Sequence, residues 1–218
     1  MKPPVLGGAG PARARHGLVL IHGRWASAAS ILPLGEGLGL PDLALAAPEA
    51  EGNSWWPTSF LAPQANMEPC LPAALAAVEA AIAALEEGGL PRHRIALAGF
   101  SQGACLALEY VARRGGALAA VFACSGGLVG TGDAGGPPLP ELYGNPDKLF
   151  AYQTDLGGLP VRISNHLEDP HIPMARVRRS AEVLAALGAD VTVETEPGSH
   201  HGVLAGDVTA MRRAFNNA

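Results

Sequence analysis

The sequence predicts an α/β protein with a mostly parallel central sheet and helices on both faces of that sheet. Short apolar segments typical of strands alternate along the chain with segments that repeat apolar residues at helical spacing. The strand segments are almost continuously apolar, as expected for parallel strands that are covered on both faces. Strands and helices that alternate in this way form right-handed crossover units, which build a parallel sheet.

Six buried strands and four helices follow from this pattern. The strands are predicted at 17–23, 42–48, 94–99, 117–126, 160–164 and 190–195, and the helices at 68–87, 101–114, 173–187 and 207–217. The first helix carries a single apolar stripe, with apolar residues three and four positions apart, and the glycine pair 88–89 ends it.

The 218 residues predict one domain that spans 1–218. Residues 1–16 are rich in Pro and Gly, and we expect a flexible N-terminal segment there rather than a signal peptide. Residues 126–159 form the one long irregular segment, and a loop of that length is usually functional. Within it, residues 131–150 are a candidate partial lid.

The composition excludes several functional classes. Charged residues make up only 16% of the chain and the formal net charge is −5, so no basic face for nucleic acid is expected. No apolar segment has the length of a membrane span. Cys70, Cys105 and Cys124 form no CxxC pair, which indicates a reduced, cytoplasmic protein. The histidines show no spacing typical of metal ligands, so no metal is expected.

The segment from Gly99 to Gly103 carries the strongest chemical signal. Its sequence is G-x-S-x-G, and it lies between a predicted strand and a predicted helix. In that context a sharp turn lifts the Ser101 hydroxyl above the sheet edge, where the N-terminus of the helix adds a partial positive charge. The alternative is that Ser101 only caps the helix. We favour a nucleophile because of the flanking elements.

A serine nucleophile needs a base, and the base needs an orienting carboxylate. The loop after strand 160–164 offers Glu168 and Asp169, and the loop after strand 190–195 offers His200 and His201. Alone, Asp169 followed by proline is typical of a turn that caps the next helix. Its position between serine and histidine favours the catalytic interpretation.

Two backbone amides are expected to bind the oxyanion. The first belongs to Gln102, which directly follows the serine. The second belongs to Arg24, in the loop after the first predicted strand. Alone, the His-Gly pair before Arg24 is equally typical of an ordinary turn that ends a strand.

Several motifs together resemble the bacterial phospholipase/carboxylesterase family, which is related to acyl-protein thioesterases and dienelactone-hydrolase-like esterases. The resemblance covers residue 17 to the C-terminus and rests on LIHGRWASAASILPL, WWPTSFLAP, RIALAGFSQGACLALEY, CSGGL, DPHIP and PGSHHGV. It implies the α/β-hydrolase fold, with Ser101 as nucleophile, Asp169 as acid and a base within the pair His200–His201. The Arg24 and Gln102 amides would form the oxyanion hole.

The same resemblance implies what the protein binds. The substrate would be a small carboxylic ester with a short or medium acyl chain, with no cofactor, and homodimers occur in the family. The P-G-x-x-H pattern of the family favours His201 as the base and keeps His200 as the alternative. The chain departs from the family pattern at Trp25, where the family has Gly, and in the greater length of segment 131–150. The loop before Asp169 also lacks the small residues that the family has there.

The residues expected to line the substrate pocket are mostly aromatic. They are Trp25, Trp55, Trp56, Phe60 and Met67. An apolar wall of this kind suits an acyl or aryl group. The alternative is that the loop aromatics pack together as a local cluster.

We therefore expect a serine carboxylesterase that acts through an acyl-enzyme. The alternatives are a thioesterase or lysophospholipase with the same residues, and a binding protein without activity on the same fold.

Overall fold

In the computed structural model, which describes residues 2–216, seven strands form one sheet. In spatial order the strands run β1-β3-β2-β4-β5-β6-β7; β1 is antiparallel to β3, and every other neighbouring pair is parallel. The strands are β1 (Val5–Gly8), β2 (His16–Ile21), β3 (Leu43–Ala47), β4 (Ile95–Phe100), β5 (Val121–Cys124), β6 (Pro160–His166) and β7 (Asp190–Glu196). The predicted fold class is confirmed.

Helices cover both faces of the sheet. They are α1 (Ala28–Glu36), α2 (Leu71–Glu87), α3 (Gln102–Arg114), α4 (Met174–Ala186) and α5 (Ala205–Asn216). Because side chains alternate along a strand, Val19 and Ile21 of β2 pack in the layer of α2, α3 and α4. Leu18 and Leu20 point the other way and pack in the layer of α1 and α5.

Two predicted strands need correction. The strand expected at 117–126 is only four residues long, because the chain turns at Ser125, where φ is +55°. The strand expected at 190–195 is paired as β7 but is not buried, since it is the outermost strand and most of its residues are exposed.

Two elements were not predicted. Strand β1 lies inside the segment expected to be flexible, and its four residues pair with Ala44–Ala47 of β3. Its sequence VLGG is too short and too rich in glycine to be recognised as a strand. Helix α1 is capped by Ser27, whose side chain accepts a hydrogen bond from the Ser30 amide, but Pro33 inside it obscures the helical pattern.

The parallel strands β2 to β7 all end at one edge of the sheet. From β2 the chain moves to β3 on one side and then crosses to β4 on the other, which leaves a crevice between the ends of β2 and β4. Ligands of open α/β sheets bind at such a position. Among the described residues, the non-glycine residues with left-handed φ lie in the segments that follow β2, β3, β4 and β5, and they are Trp25, Asn53, Ser101, Ser125 and Tyr143.

Segment 126–159 is held against α3 by polar side chains around the buried Glu109 carboxylate, here called the Glu109 cluster: Glu109, Arg113, Lys148 and Tyr152. Tyr152 Oη lies 2.9 and 2.8 Å from the two Glu109 carboxylate oxygens, and Arg113 Nε donates to Oε1 at 2.6 Å. Lys148 Nζ lies 3.3 Å from Glu109 Oε1 and 2.8 Å from the Val129 carbonyl oxygen. The cluster therefore anchors the long segment in the core.

No helix within residues 2–216 is both long enough and apolar enough to cross a membrane.

Candidate active site

Ser101 occupies a tight turn between β4 and α3. Its backbone has φ 56° and ψ −119°, and its amide donates to the Cys124 carbonyl oxygen at 2.9 Å. A Cβ atom on Gly99 would lie 2.2 Å from the Gly103 carbonyl oxygen, and one on Gly103 would lie 2.0 Å from that of Ile21. Only glycine fits at both positions, which explains why the chain flanks this serine with glycines.

A chain of hydrogen bonds joins Ser101 to His201 and Asp169. His201 Nε2 lies 2.8 Å from Ser101 Oγ, and His201 Nδ1 lies 2.8 Å from Asp169 Oδ2. The other carboxylate oxygen, Oδ1, accepts from the amides of His171 at 2.8 Å and Ile172 at 3.0 Å. An ionised carboxylate only accepts, so the proton resides on Nδ1 and Nε2 is free to accept from the serine hydroxyl.

The other candidates for acid and base point elsewhere. His200 is exposed, and its ring centre lies 5.6 Å from that of His166. Glu168 is also exposed, and its amide donates to the Gly198 carbonyl oxygen. The structure thus brings Ser101, Asp169 and His201 together and leaves His200 and Glu168 outside the group.

The ring of His201 is held between aromatic neighbours. The ring centres of Phe100 and His171 lie 5.0 and 4.9 Å from that of His201. Val203 packs against the core layer of α1 and α5 and fixes the following residues. These contacts orient the imidazole before any substrate binds.

The two predicted oxyanion amides lie in the first turns after β4 and β2. Gln102 is the first residue of α3, so its amide has no acceptor within the helix and lies at the positive end of the helix dipole. A Cβ atom on Gly23 would lie 3.3 Å from Ser101 Cβ, which places the loop after β2 directly against the serine. Arg24 follows in that loop.

His22 links this loop to the segment after β3. The Ala50 amide donates to His22 Nε2 at 3.1 Å, so Nδ1 carries the proton and donates to the Gly23 carbonyl oxygen at 2.7 Å. Burial lowers the pKa of His22, and the neutral ring is the form that both contacts require. The backbone carbonyl oxygen of His22 also accepts a hydrogen bond from Trp55 Nε1 at 2.9 Å. This positioning role was not predicted from the sequence.

The side chain of Gln102 has a second role that sequence reasoning missed. Its Oε1 accepts from the Trp55 amide and its Nε2 donates to the Trp56 carbonyl oxygen, both at 2.9 Å. The buried amide therefore ties the turn at Ser101 to segment 50–58. A polar residue among the apolar residues of α3 was the only signal in the sequence.

Four of the five residues predicted to line the pocket lie in the core. Trp55 and Trp56 are 5% and 1% exposed, and Phe60 and Met67 are buried in the same apolar cluster. The contacts with Gln102 and His22 draw the segment inward, which favours the alternative of local packing. Trp25, in contrast, is 76% exposed.

Within residues 2–216, no group of three or more His, Cys, Asp and Glu side chains is arranged to hold a metal ion. A cavity of about 640 Å³, lined by residues such as Arg113 and Lys148, lies beside the Glu109 cluster and includes none of the predicted site residues.

Solved esterase structures are similar to the chain along its whole length. A phospholipase/carboxylesterase from Dyadobacter fermentans DSM 18053 is 34% identical, with a TM-score of 0.86, over 99% of this chain and 97% of that one. Esterase PE8 is 25% identical, with a TM-score of 0.73, over 98% and 97% of the two chains. A carboxylesterase from Mesorhizobium loti, 21% identical over 99% and 94%, shares the fold with a TM-score of 0.73.

A family model described as Phospholipase/Carboxylesterase matches residues 44–136, which include Ser101. No curated protein sequence matches the chain.

Proposed function

Because the chain belongs to the phospholipase/carboxylesterase family and has the α/β-hydrolase fold, we propose that it is a serine carboxylesterase. Its substrates would be small carboxylic esters with short to medium acyl chains, cleaved through an acyl-enzyme. The observation that carries this proposal is the hydrogen-bonded chain from Asp169 through His201 to Ser101, with 2.8 Å at each step.

In the first half-reaction Ser101 Oγ attacks the ester carbonyl carbon while His201 Nε2 takes the hydroxyl proton. The Asp169 carboxylate stabilises the imidazolium that forms. The negative charge that develops on the carbonyl oxygen is bound by the amides of Gln102 and Arg24. His201 then gives its proton to the leaving alcohol, and the acyl group stays on Ser101.

In the second half-reaction water replaces the alcohol. His201 Nε2 removes a proton from the water as it attacks the acyl-enzyme carbonyl, and the same two amides bind the oxyanion. Collapse of this intermediate releases the carboxylic acid and returns the proton to Ser101 Oγ. No cofactor takes part in either half-reaction.

The proposal also includes the cellular compartment, a partial lid and the oligomeric state. Cys70, Cys105 and Cys124 are free, which suits the reducing cytoplasm. Segment 131–150 would border the site as a partial lid, since Tyr143 Oη lies 3.3 Å from the carbonyl oxygen of His171, two residues after Asp169. We also propose a homodimer, by analogy with the family.

The proposal is tested by the hydrolysis of nitrophenyl esters of increasing acyl length, with matched thioesters beside them. We expect turnover of the shorter esters and a loss of at least about 10³-fold in kcat for Ser101→Ala. Ser199→Ala, which alters an exposed serine near His201, is the control and should keep the wild-type rate. Wild-type turnover by Ser101→Ala would refute the proposal, and faster cleavage of thioesters than of esters would favour a thioesterase.

A further inference from the structure

Trp25 differs from the other tryptophans in its exposure. It is the most exposed large apolar side chain within the described residues, at 76%, whereas Trp55 and Trp56 are buried. Single exposed apolar residues are common, so exposure alone does not indicate a binding role. The conformation of the backbone provides the second observation.

The backbone of Trp25 lies in the left-handed region, with φ at +62°. A bulky residue rarely adopts this conformation, and it persists only where the surroundings impose it. Here the Trp25 amide donates to the Asn53 carbonyl oxygen at 2.7 Å, and Asn53 Nδ2 donates to the Ala26 carbonyl oxygen at 2.7 Å. The preceding residue, Arg24, donates through its guanidinium to the Trp56 and Thr58 carbonyl oxygens. The loop is thus fixed on both sides of the indole.

The position of Trp25 in the fold indicates which part of an ester substrate lies near it. Gly23, two residues earlier, lies against Ser101, and β2 is next to β4 on the side opposite to β5, β6 and β7. His201 follows β7, and the leaving oxygen must face His201 to receive its proton. The acyl group therefore extends away from His201, and the loop after β2 that carries Trp25 lies on that side of Ser101.

We infer that Trp25 is a specificity-determining residue whose exposed indole packs against the acyl group of the substrate. The substrate class is carboxylic esters with an aromatic or similarly flat, bulky acyl group, because an aromatic face stacks well with such groups. The Arg24 Cζ atom lies 5.9 Å from the centre of the indole and occupies one side of it, which leaves the other side to the ligand. This inference rests on the proposed esterase function.

Two esters with the same leaving group isolate the acyl contact: nitrophenyl acetate and nitrophenyl 3-phenylpropanoate. The measured quantity is the ratio of kcat/KM for the phenylpropanoate to that for the acetate. We expect Trp25→Gly to lower this ratio about tenfold and Trp25→Phe to keep it within about threefold of the wild type. Leu6→Ala, which alters another exposed apolar residue on the antiparallel edge strand β1, is the control and should leave the ratio unchanged. An unchanged ratio in Trp25→Gly would overturn the inference.

A second pair of variants separates the indole from the strained backbone. Trp25→Asn and Trp25→Gly both remove the indole and both tolerate a positive φ. The inference predicts that the two lower the ratio equally. A wild-type ratio in either variant would contradict it.

A binding measurement keeps the inference separate from the proposed function. In Ser101→Ala, addition of methyl 3-phenylpropanoate should change the red-shifted fluorescence of the exposed tryptophan, whereas methyl acetate should not, and the change should be absent in Ser101→Ala/Trp25→Phe. If Ser101→Ala and Ser101→Ala/Trp25→Phe gave the same fluorescence change, contact between the ester and Trp25 would be refuted. Retained hydrolysis in Ser101→Ala would instead refute the proposed function.

Discussion

The two halves of helix α3 show how differently one helix can use polar residues. At its N-terminal end, Ser101 and Gln102 adjoin loops that are held by hydrogen bonds to backbone groups and have strained backbone at Trp25 and Asn53. About 12 Å further along the helix axis, Glu109 is fully buried in a cluster of charged and hydroxyl groups.

Buried atoms without a hydrogen-bond partner lie near both regions. Within residues 2–216 they include Arg24 Nε, Trp56 Nε1 and Thr58 Oγ1 beside the N-terminal end, and Gln64 Oε1 and Arg176 Nε beside the Glu109 cluster. In the Glu109 cluster both carboxylate oxygens accept more than one hydrogen bond. We expect the N-terminal end to place amides and a hydroxyl for chemistry, whereas the cluster secures segment 126–159. Substitutions in the two halves of the helix should therefore affect different measured quantities.

The largest effect is expected from the base at the N-terminal end. His201→Ala should lower kcat by about 10²–10⁴-fold, because the serine loses its proton acceptor. His200→Ala is the matched control and should stay within a few-fold of the wild type, since His200 points away from Ser101. If His200→Ala were the inactive variant and His201→Ala stayed active, the assignment of the base would be reversed.

In the C-terminal half of α3, Glu109→Gln should change stability rather than catalysis. It removes the charge that compensates Lys148 and Arg113, and breaking a buried ion pair costs about 3–5 kcal/mol of the free energy of unfolding. Burial already lowers the pKa of Lys148, which shows how little the site tolerates an uncompensated cation. Chemical denaturation measures the loss, and kcat of the folded variant should stay close to that of the wild type.

A double variant tests the cause of that loss. Glu109→Leu/Lys148→Met removes both charges and should recover part of the lost stability, because an apolar pair carries no desolvation penalty. A large fall in kcat of folded Glu109→Gln would contradict this division between the two halves of the helix.

Gln102→Leu should have a smaller effect on stability and a clear effect on activity. It leaves the buried Trp55 amide without its partner, which costs about 1–3 kcal/mol, and it removes one of the hydrogen bonds to the Trp56 carbonyl oxygen. The backbone amide of residue 102 remains as an oxyanion donor. A decrease in kcat/KM would therefore result from the loosened contact between the turn at Ser101 and segment 50–58. Unchanged kcat/KM together with lost stability would show that these contacts are structural only.

Some of these features could be predicted from the sequence and others could not. The turn at Ser101 is local: two glycines and a serine between a strand and a helix leave one arrangement. The choice of His201 over His200 came from the family pattern, because alternating side chains alone allow either. The inward packing of Trp55 and Trp56 depends on Gln102, about 46 residues away in the sequence, and local patterns do not encode such contacts. Glu109 inside an apolar helix was visible, but its partners on segment 126–159 were not.

The smallest expected effect concerns His22 and pH. Its pKa is lowered in the folded protein, so the unfolded chain binds a proton at a higher pH than the folded protein does. The free energy of unfolding should therefore fall as the pH decreases below about 6.5, by at most about 1.4 kcal/mol per pH unit. His22→Asn should reduce this slope, and His93→Asn, which alters an exposed histidine, should keep it. An equal slope in wild type and His22→Asn would argue against a neutral His22 as the link between the two loops.

The central claim, that Ser101 is a nucleophile activated by His201, is tested most directly by labelling with a fluorophosphonate and locating the adduct by peptide mass spectrometry. The account predicts one adduct, on Ser101, that forms rapidly in the wild type, about 10²–10⁴-fold more slowly in His201→Ala, and not at all in Ser101→Ala. An adduct on another residue, or labelling of Ser101 at the same rate with and without His201, would contradict it.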